Sequence, residues 1–157
     1  MHILETRIPP LVLVFLFAFI MYGLSLSPVS YTMLPKDFDS LQKGLYTLLT
    51  LSGLGLAIAG VLSFRKAKTT VDPRDPTKSE KLVVVGVYRL TRNPMYVGFL
   101  LWLLAWGVYL NDVASFLFAF LFIPYMNRFQ IRVEERFLQQ QFGDSFSSYI
   151  TKVRRWL

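Results

Sequence analysis

Cysteine is absent from this 157-residue chain, and histidine occurs once, at His2. Without thiols there can be no disulfide, no thiolate metal site and no cysteine nucleophile. A single imidazole beside a terminus, where chains fray, supplies neither a metal-binding cluster nor a histidine general base. No GxGxxG run is present, which removes the usual dinucleotide loop. Charge is also sparse, because the stretches 8–35, 44–64, 93–111 and 113–127 contain none at all.

What fills those stretches is apolar. Hydrophobic residues make up 54% of the chain and aromatics 16%, more than a soluble core of this size requires. About twenty helical residues cross a hydrocarbon layer of about 30 Å. We therefore expect an all-α fold: a polytopic membrane helical bundle of about four transmembrane helices, with spans at 9–28, 44–64, 94–111 and 113–131. The whole chain, 1–157, reads as one membrane domain. The fourth charge-free stretch is short, but apolar character resumes with Phe129 and Ile131, and Arg128 can snorkel. Pro124 predicts a kink. The first span lacks a small-residue cleavage site and is expected to be a retained anchor.

The net charge is +7, and the basic residues are unevenly placed. Of the seventeen Lys and Arg, the loop 65–93 and the tail 132–157 hold most, and few fall between the first two spans. The positive-inside bias then puts both termini, the loop and the tail in the cytoplasm, as in a multi-pass protein of a bacterial inner membrane. Juxtamembrane basic residues separated by apolar segments suit membrane lipid headgroups, and no nucleic acid partner is expected.

Gly53, Ala57 and Gly60 recur at a spacing that lets a neighbouring helix approach. Asn93 can cap the third helix and Pro94 suits its first turn. With only Asn111 and Asp112 between them, the third and fourth helices should form an antiparallel hairpin. Arg132 to Phe142 reads as a short amphipathic cytoplasmic helix ended by Gly143. The following residues Phe146, Tyr149, Val153 and Trp156 alternate with basic ones, as in an interfacial segment.

Three polar clusters collect on the inner side. These are Leu82-Val-Val-Val-Gly-Val-Tyr88, Thr91-Arg-Asn-Pro-Met-Tyr-Val-Gly98, and Arg132-Val-Glu-Glu135 running on to Phe142-Gly143. In order and spacing this set resembles the isoprenylcysteine carboxyl methyltransferase family, and the related phospholipid methyltransferases, over roughly Phe64 to Trp156. The resemblance implies a membrane enzyme that binds S-adenosylmethionine between its last helices and cytoplasmic loops. It carries cofactor contacts to Leu82, Val83, Tyr88, Asn93, Pro94, Met95, Tyr96 and Glu134. Asn93 stands where most members have a histidine. Gln130 stands where the prenylcysteine enzymes have an arginine for the substrate carboxylate, with Arg128 and Arg132 on either side. Those three residues are the candidates for substrate binding, and the catalytic group is left open.

The residue chemistry is compatible with that implication. Glu134 can accept both ribose hydroxyls, and Tyr88 or Tyr96 can face a sulfonium. In-line methyl transfer asks mainly for positioning and desolvation. The acceptor would be an apolar or amphiphilic molecule reached from the bilayer. Simpler roles exist for each element: Asn93-Pro94 as a helix start, and Glu134 and Glu135 as macrodipole partners pairing with Arg132 or Arg136. Trp102, Trp106 and Tyr109 read as packing and an aromatic belt. Two other functions stay open, an NADPH-dependent membrane reductase of the sterol reductase type using Arg89 and Arg92, and a non-catalytic interaction module.

Overall fold

The computed structural model describes residues 8–66 and 82–157. His2, Arg7, Lys68 and the prolines and aspartates of the stretch 67–81 lie outside them. Every regular element among the described residues is helical, and pairing of β type is limited to one isolated bridge, Thr32 with Asp112.

Helix α1 spans Pro10–Ser25. It starts on a proline, whose missing N–H is no loss in a first turn, and ends where Ser25 and Ser27 turn their hydroxyls back onto the Tyr22 and Leu24 carbonyls. After a 3₁₀ turn at Lys36–Phe38, helix α2 runs over Asp39–Lys66. Together they make a 31-residue helical stretch, the one helix among the described residues long and apolar enough to cross a membrane by itself. Helix α3, Pro94–Leu110, is apolar but shorter, as is α1. Asn111 ends α3 at a positive φ of 53°, a conformation its short polar side chain tolerates.

Helices α2 and α3 cross in close contact. An added methyl at Gly98 would come 2.6 Å from the Gly53 carbonyl oxygen, and one at Gly53 would come 2.7 Å from that of Gly98. Trp102 donates its indole N–H to the Thr50 carbonyl, and Trp106 stacks on Tyr109 at 5.2 Å. The tryptophans of α3 therefore serve packing.

The predicted fourth helix is broken into α4 (Val113–Ala119), α5 (Phe122–Met126) and a π-helical turn at Asn127–Ile131. Pro124 explains the first break: it has no N–H for the Phe120 carbonyl and its ring presses on that group. The carbonyl instead accepts from Ile123 N at 3.1 Å, in a tighter turn. Helix α6 follows at Arg132–Phe142, the residues read as amphipathic, and Gly143 at φ 48° ends it. Helix α7, Asp144–Lys152, folds back on α6.

The α3–α4 hairpin is fastened to the connection after α1. Asn111 accepts from Leu34 N and donates to its carbonyl, and Asp112 accepts from Tyr31 N and Ser115 N. Burial disfavours charge on Asp112, but hydrogen bonding from the side chain and backbone of Ser115, from the Ser30 side chain and from the Tyr31 backbone outweighs it and holds its pKa below the ordinary carboxylate value. The main core lies where α1, α3, α4 and α5 meet, around Phe17, Met21, Leu103, Phe122 and Met126. The outer faces of α1 and α2 are apolar and uncovered, with Phe19 75% and Leu48 63% exposed.

Candidate active site

The π turn has a consequence for chemistry. Its wider winding, a feature frequent at functional sites, is followed at once by the first turn of α6, and Gln130 and Glu134 lie four residues apart across the junction. Gln130 is buried and donates its amide N–H to Glu134 Oε1 at 2.8 Å. From the first turn of α3, the phenol of Tyr96 donates to the same oxygen at 2.5 Å. Tyr96 is 5% exposed and Glu134 is half-buried, so the phenol of this pair is withdrawn from water at the base of α3 while the carboxylate keeps partial access.

Burial pushes the Glu134 carboxyl up to about 7, and the neighbouring Glu135 charge adds to the rise, while the hydrogen bonds from Tyr96 and Gln130 hold it back. The third member of the cluster, Tyr88, is buried in a 3₁₀ turn at Gly86–Arg89. Its phenol is raised above its usual value by burial first, then by Tyr149 and Glu134, which places it within electrostatic reach of the carboxylate. The Tyr88 ring stands edge-on to Phe64 at 5.3 Å. Gly86 makes the turn possible at φ 62° and leaves room for Ser63 Oγ beside it.

A second polar layer lies beneath. Glu135 pairs with Arg92 at 2.9 Å and with Arg155 through two nitrogens. The C-terminal segment is tied down by its backbone: Arg154 O accepts from Arg92 N, and Arg155 O accepts from Asn93 Nδ2 at 2.8 Å and Thr91 Oγ1 at 3.2 Å. Trp156 Nε1 donates to Asn127 Oδ1, and Tyr149 Oη donates to the Tyr88 carbonyl at 2.6 Å. The tail thus joins the start of α3 to α6.

The structure brings Tyr88, Tyr96, Gln130 and Glu134 together. Val83 is buried and Leu82 half-buried in the extended segment before the 3₁₀ turn. Pro94 is buried, and Met95 packs against Gly60 of α2.

Two expectations need correction. Asn93 does not cap α3 with its side chain, which is engaged by Arg155 O. Glu135 is joined to Arg92 and Arg155 rather than to Arg132. Arg128 and Arg132 are exposed and line a groove with Glu135 and Phe146, whereas Gln130, two positions from each, is buried beside Glu134. Sequence reasoning missed the part that Arg155 and the tail play in the site, having read the tail as an interfacial segment, and held Thr91 only as the first residue of a motif. The tail acts through backbone carbonyls, which no side-chain pattern announces, whereas Arg92 stood within a recognised motif and was legible only as part of it.

The arrangement offers one carboxylate oxygen already bonded and a second available, with two phenols beside it. Such a donor set suits a ligand carrying hydroxyls, a flat apolar portion and a cation. Among the described residues no cluster of His, Cys, Asp or Glu could hold a metal ion.

Comparison with known proteins points the same way. The profile of the phospholipid methyltransferase family matches residues 43–145. An uncharacterized protein of Haemophilus influenzae is 46% identical over 63 residues, covering 40% of this chain and all of that protein. The protein-S-isoprenylcysteine O-methyltransferase of Schizosaccharomyces pombe is 38% identical over 77 residues, 48% of this chain and 32% of the yeast protein. The B enzyme of the same name from Arabidopsis thaliana is 36% identical over 74 residues, 46% of this chain and 37% of the plant protein. The chain thus spans about a third of the length of these two methyltransferases. No solved structure matches significantly.

Proposed function

From the premise that this chain belongs to the phospholipid methyltransferase family, we propose that it is an integral membrane methyltransferase. In this proposal it uses S-adenosylmethionine and acts on an apolar or amphiphilic acceptor that enters from the bilayer. The observation that carries the proposal is the Tyr96–Glu134–Gln130 cluster, its phenol and amide buried and its carboxylate half-buried, with Tyr88 beside it.

S-adenosylmethionine, when bound, supplies an activated methyl group on a sulfonium. The chain's own residues then bind and orient. Tyr96 and Gln130 both donate to Oε1 of Glu134, which fixes the carboxylate and leaves Oε2 to accept ribose hydroxyls. The phenol rings of Tyr88 and Tyr96 attract a nearby cation by about 0.5 to 2 kcal/mol. Val83, Met95 and Pro94 form the apolar wall and keep water away, so that positioning and desolvation supply the rate. Asn93, Leu82 and the start of α3 complete the cofactor side, with the Glu135 ion pairs as its floor.

Helix α2 crosses the membrane, and α1, α3 and the broken α4–α5 unit are proposed as the remaining spans, with both termini in the cytoplasm as the basic residues favour. Helices α1 and α3, about 24 to 26 Å long at 1.5 Å per residue, fall slightly short of the hydrocarbon layer, a mismatch that local thinning accommodates. The reductase alternative would need cations for a dinucleotide's phosphates, and Arg92 is already engaged by Glu135 and the Ile150 carbonyl.

Calorimetry on the detergent-purified protein tests the proposal. S-adenosylmethionine or its demethylated product should bind, and Glu134→Gln should weaken binding by about 1.5 to 3 kcal/mol, the contribution of a charged hydrogen bond. Binding of NADPH with no response to either of these would overturn it. Labelled methyl uptake by lipid, amine and thiol acceptors would then identify the substrate.

A further inference from the structure

A groove of about 440 Å³ opens between α6 and α7, outside the Glu134 cluster. Arg128, Arg132 and Arg136 line it at four-residue intervals, from the π turn into α6. Phe146 and Ile150 of α7 form its apolar wall, and Tyr88, Tyr96 and Glu134 do not line it. The one carboxylate in the groove, Glu135, is already matched by Arg92 and Arg155. Among the described residues, no carboxylate pairs with Arg128 or Arg132.

We propose that this groove holds the phosphate of an anionic phospholipid headgroup, as a resident lipid at the membrane surface and not as the methyl acceptor. Guanidinium forks match phosphate oxygens in paired hydrogen bonds, and Arg128 and Arg132 on one side of the groove concentrate positive potential. Position selects lipid over a soluble anion. Arg128 follows directly on the segment whose Leu117, Phe120 and Leu121 are exposed and apolar, so the groove begins where that segment leaves hydrocarbon. The Phe146–Ile150 wall gives the glycerol and upper acyl carbons an apolar surface, which inorganic phosphate would not use. The inference rests on the membrane placement proposed above and is independent of methyl transfer.

Native mass spectrometry of the full chain in a neutral detergent tests it, with phosphatidylglycerol compared against diacylglycerol carrying the same acyl chains. Phosphatidylglycerol should be retained at least about tenfold more tightly, as expected for charged hydrogen bonds to phosphate. The double variant Arg128→Gln/Arg132→Gln should lose that preference. Both arginines are exposed, and circular dichroism checks that the variant is folded; should it not be, Arg132→Gln alone should lower the preference several-fold. Equal retention of the two lipids, or an undiminished preference in a folded variant, would overturn the proposal. Displacement of the lipid by equimolar inorganic phosphate would overturn it too, in favour of a soluble anion. None of these outcomes depends on S-adenosylmethionine binding, so the two proposals fail separately.

Discussion

At the residue scale, Glu134 carries the tightest constraint and the clearest pH dependence. Its carboxyl is raised from the ordinary 4.5 to about 7 by burial, against the hydrogen bonds from Tyr96 and Gln130. A folded-state pKa above the unfolded one means that the contribution to stability is fully present below about pH 4.5 and is lost as pH rises through 7. The melting temperature in detergent should therefore fall between pH 5 and 8, and Glu134→Gln should flatten that slope. Ligand binding should run the other way, since the ionised carboxylate is the better acceptor for ribose hydroxyls: affinity for S-adenosylmethionine rises with pH through about 7 in the wild type and stays level in the variant. Tyr96→Phe removes one hydrogen bond to the carboxylate, which costs about 1 to 3 kcal/mol and moves both transitions to higher pH. A wild-type affinity independent of pH between 6 and 8 would exclude Glu134 as the ribose acceptor.

At the scale of elements, α2 and α3 are held together by backbone proximity. The carbonyls of Gly53 and Gly98 each stand where the other's Cβ would go. Gly98→Ala should destabilise the protein by about 1 to 3 kcal/mol, as overpacking does, while Gly55→Ala, with nothing within 4 Å, should be neutral or slightly stabilising through helix propensity. Equal melting temperatures for the two variants would show that α2 and α3 do not cross at Gly53 and Gly98. Much of this level was legible beforehand. The small-residue spacing announced the contact, Pro94 announced the start of α3, Asn111-Asp112 the hairpin and Gly143 the end of α6. Glycine, proline and turn residues act locally, so sequence shows them. The fourth helix was read as one span with a kink at Pro124, and the π turn after it went unseen because no residue type specifies that winding. Tyr88, Tyr96 and Glu134 were legible only as separated motifs. Their meeting depends on the π turn and on the tail threaded past Asn93, both products of tertiary packing.

At the scale of the whole molecule, the decisive fact is the unequal distribution of polarity. The polar side chains that engage one another around the site come from the start of α3, from α6 and from the C-terminal segment, and so converge on one end of the bundle. The sides of α1 and α2 expose Phe15, Phe19, Leu48 and Leu51 with no charged side chain within 8–35 or 44–64, a surface that water does not tolerate over such an area. Lipid around the sides and water at the polar end satisfy both requirements. Since cytoplasmic loops retain Lys and Arg, the end holding Arg92, Arg132 and Arg155 should face inward, and the Asn111-Asp112 turn, which carries no basic residue, should face outward. A phosphatase or fluorescent reporter fused after Leu157 should report a cytoplasmic location, and one inserted at the Asn111-Asp112 turn an external one. The same location for both would mean that α3 and the α4–α5 unit do not each cross the membrane. In that case the break at Pro124 would mark a re-entrant hairpin, and the cofactor cluster would have to be reached from the same side as the hairpin tip. Opposite locations would fix the inner rim as the place where a soluble methyl donor and a lipid-borne acceptor can meet.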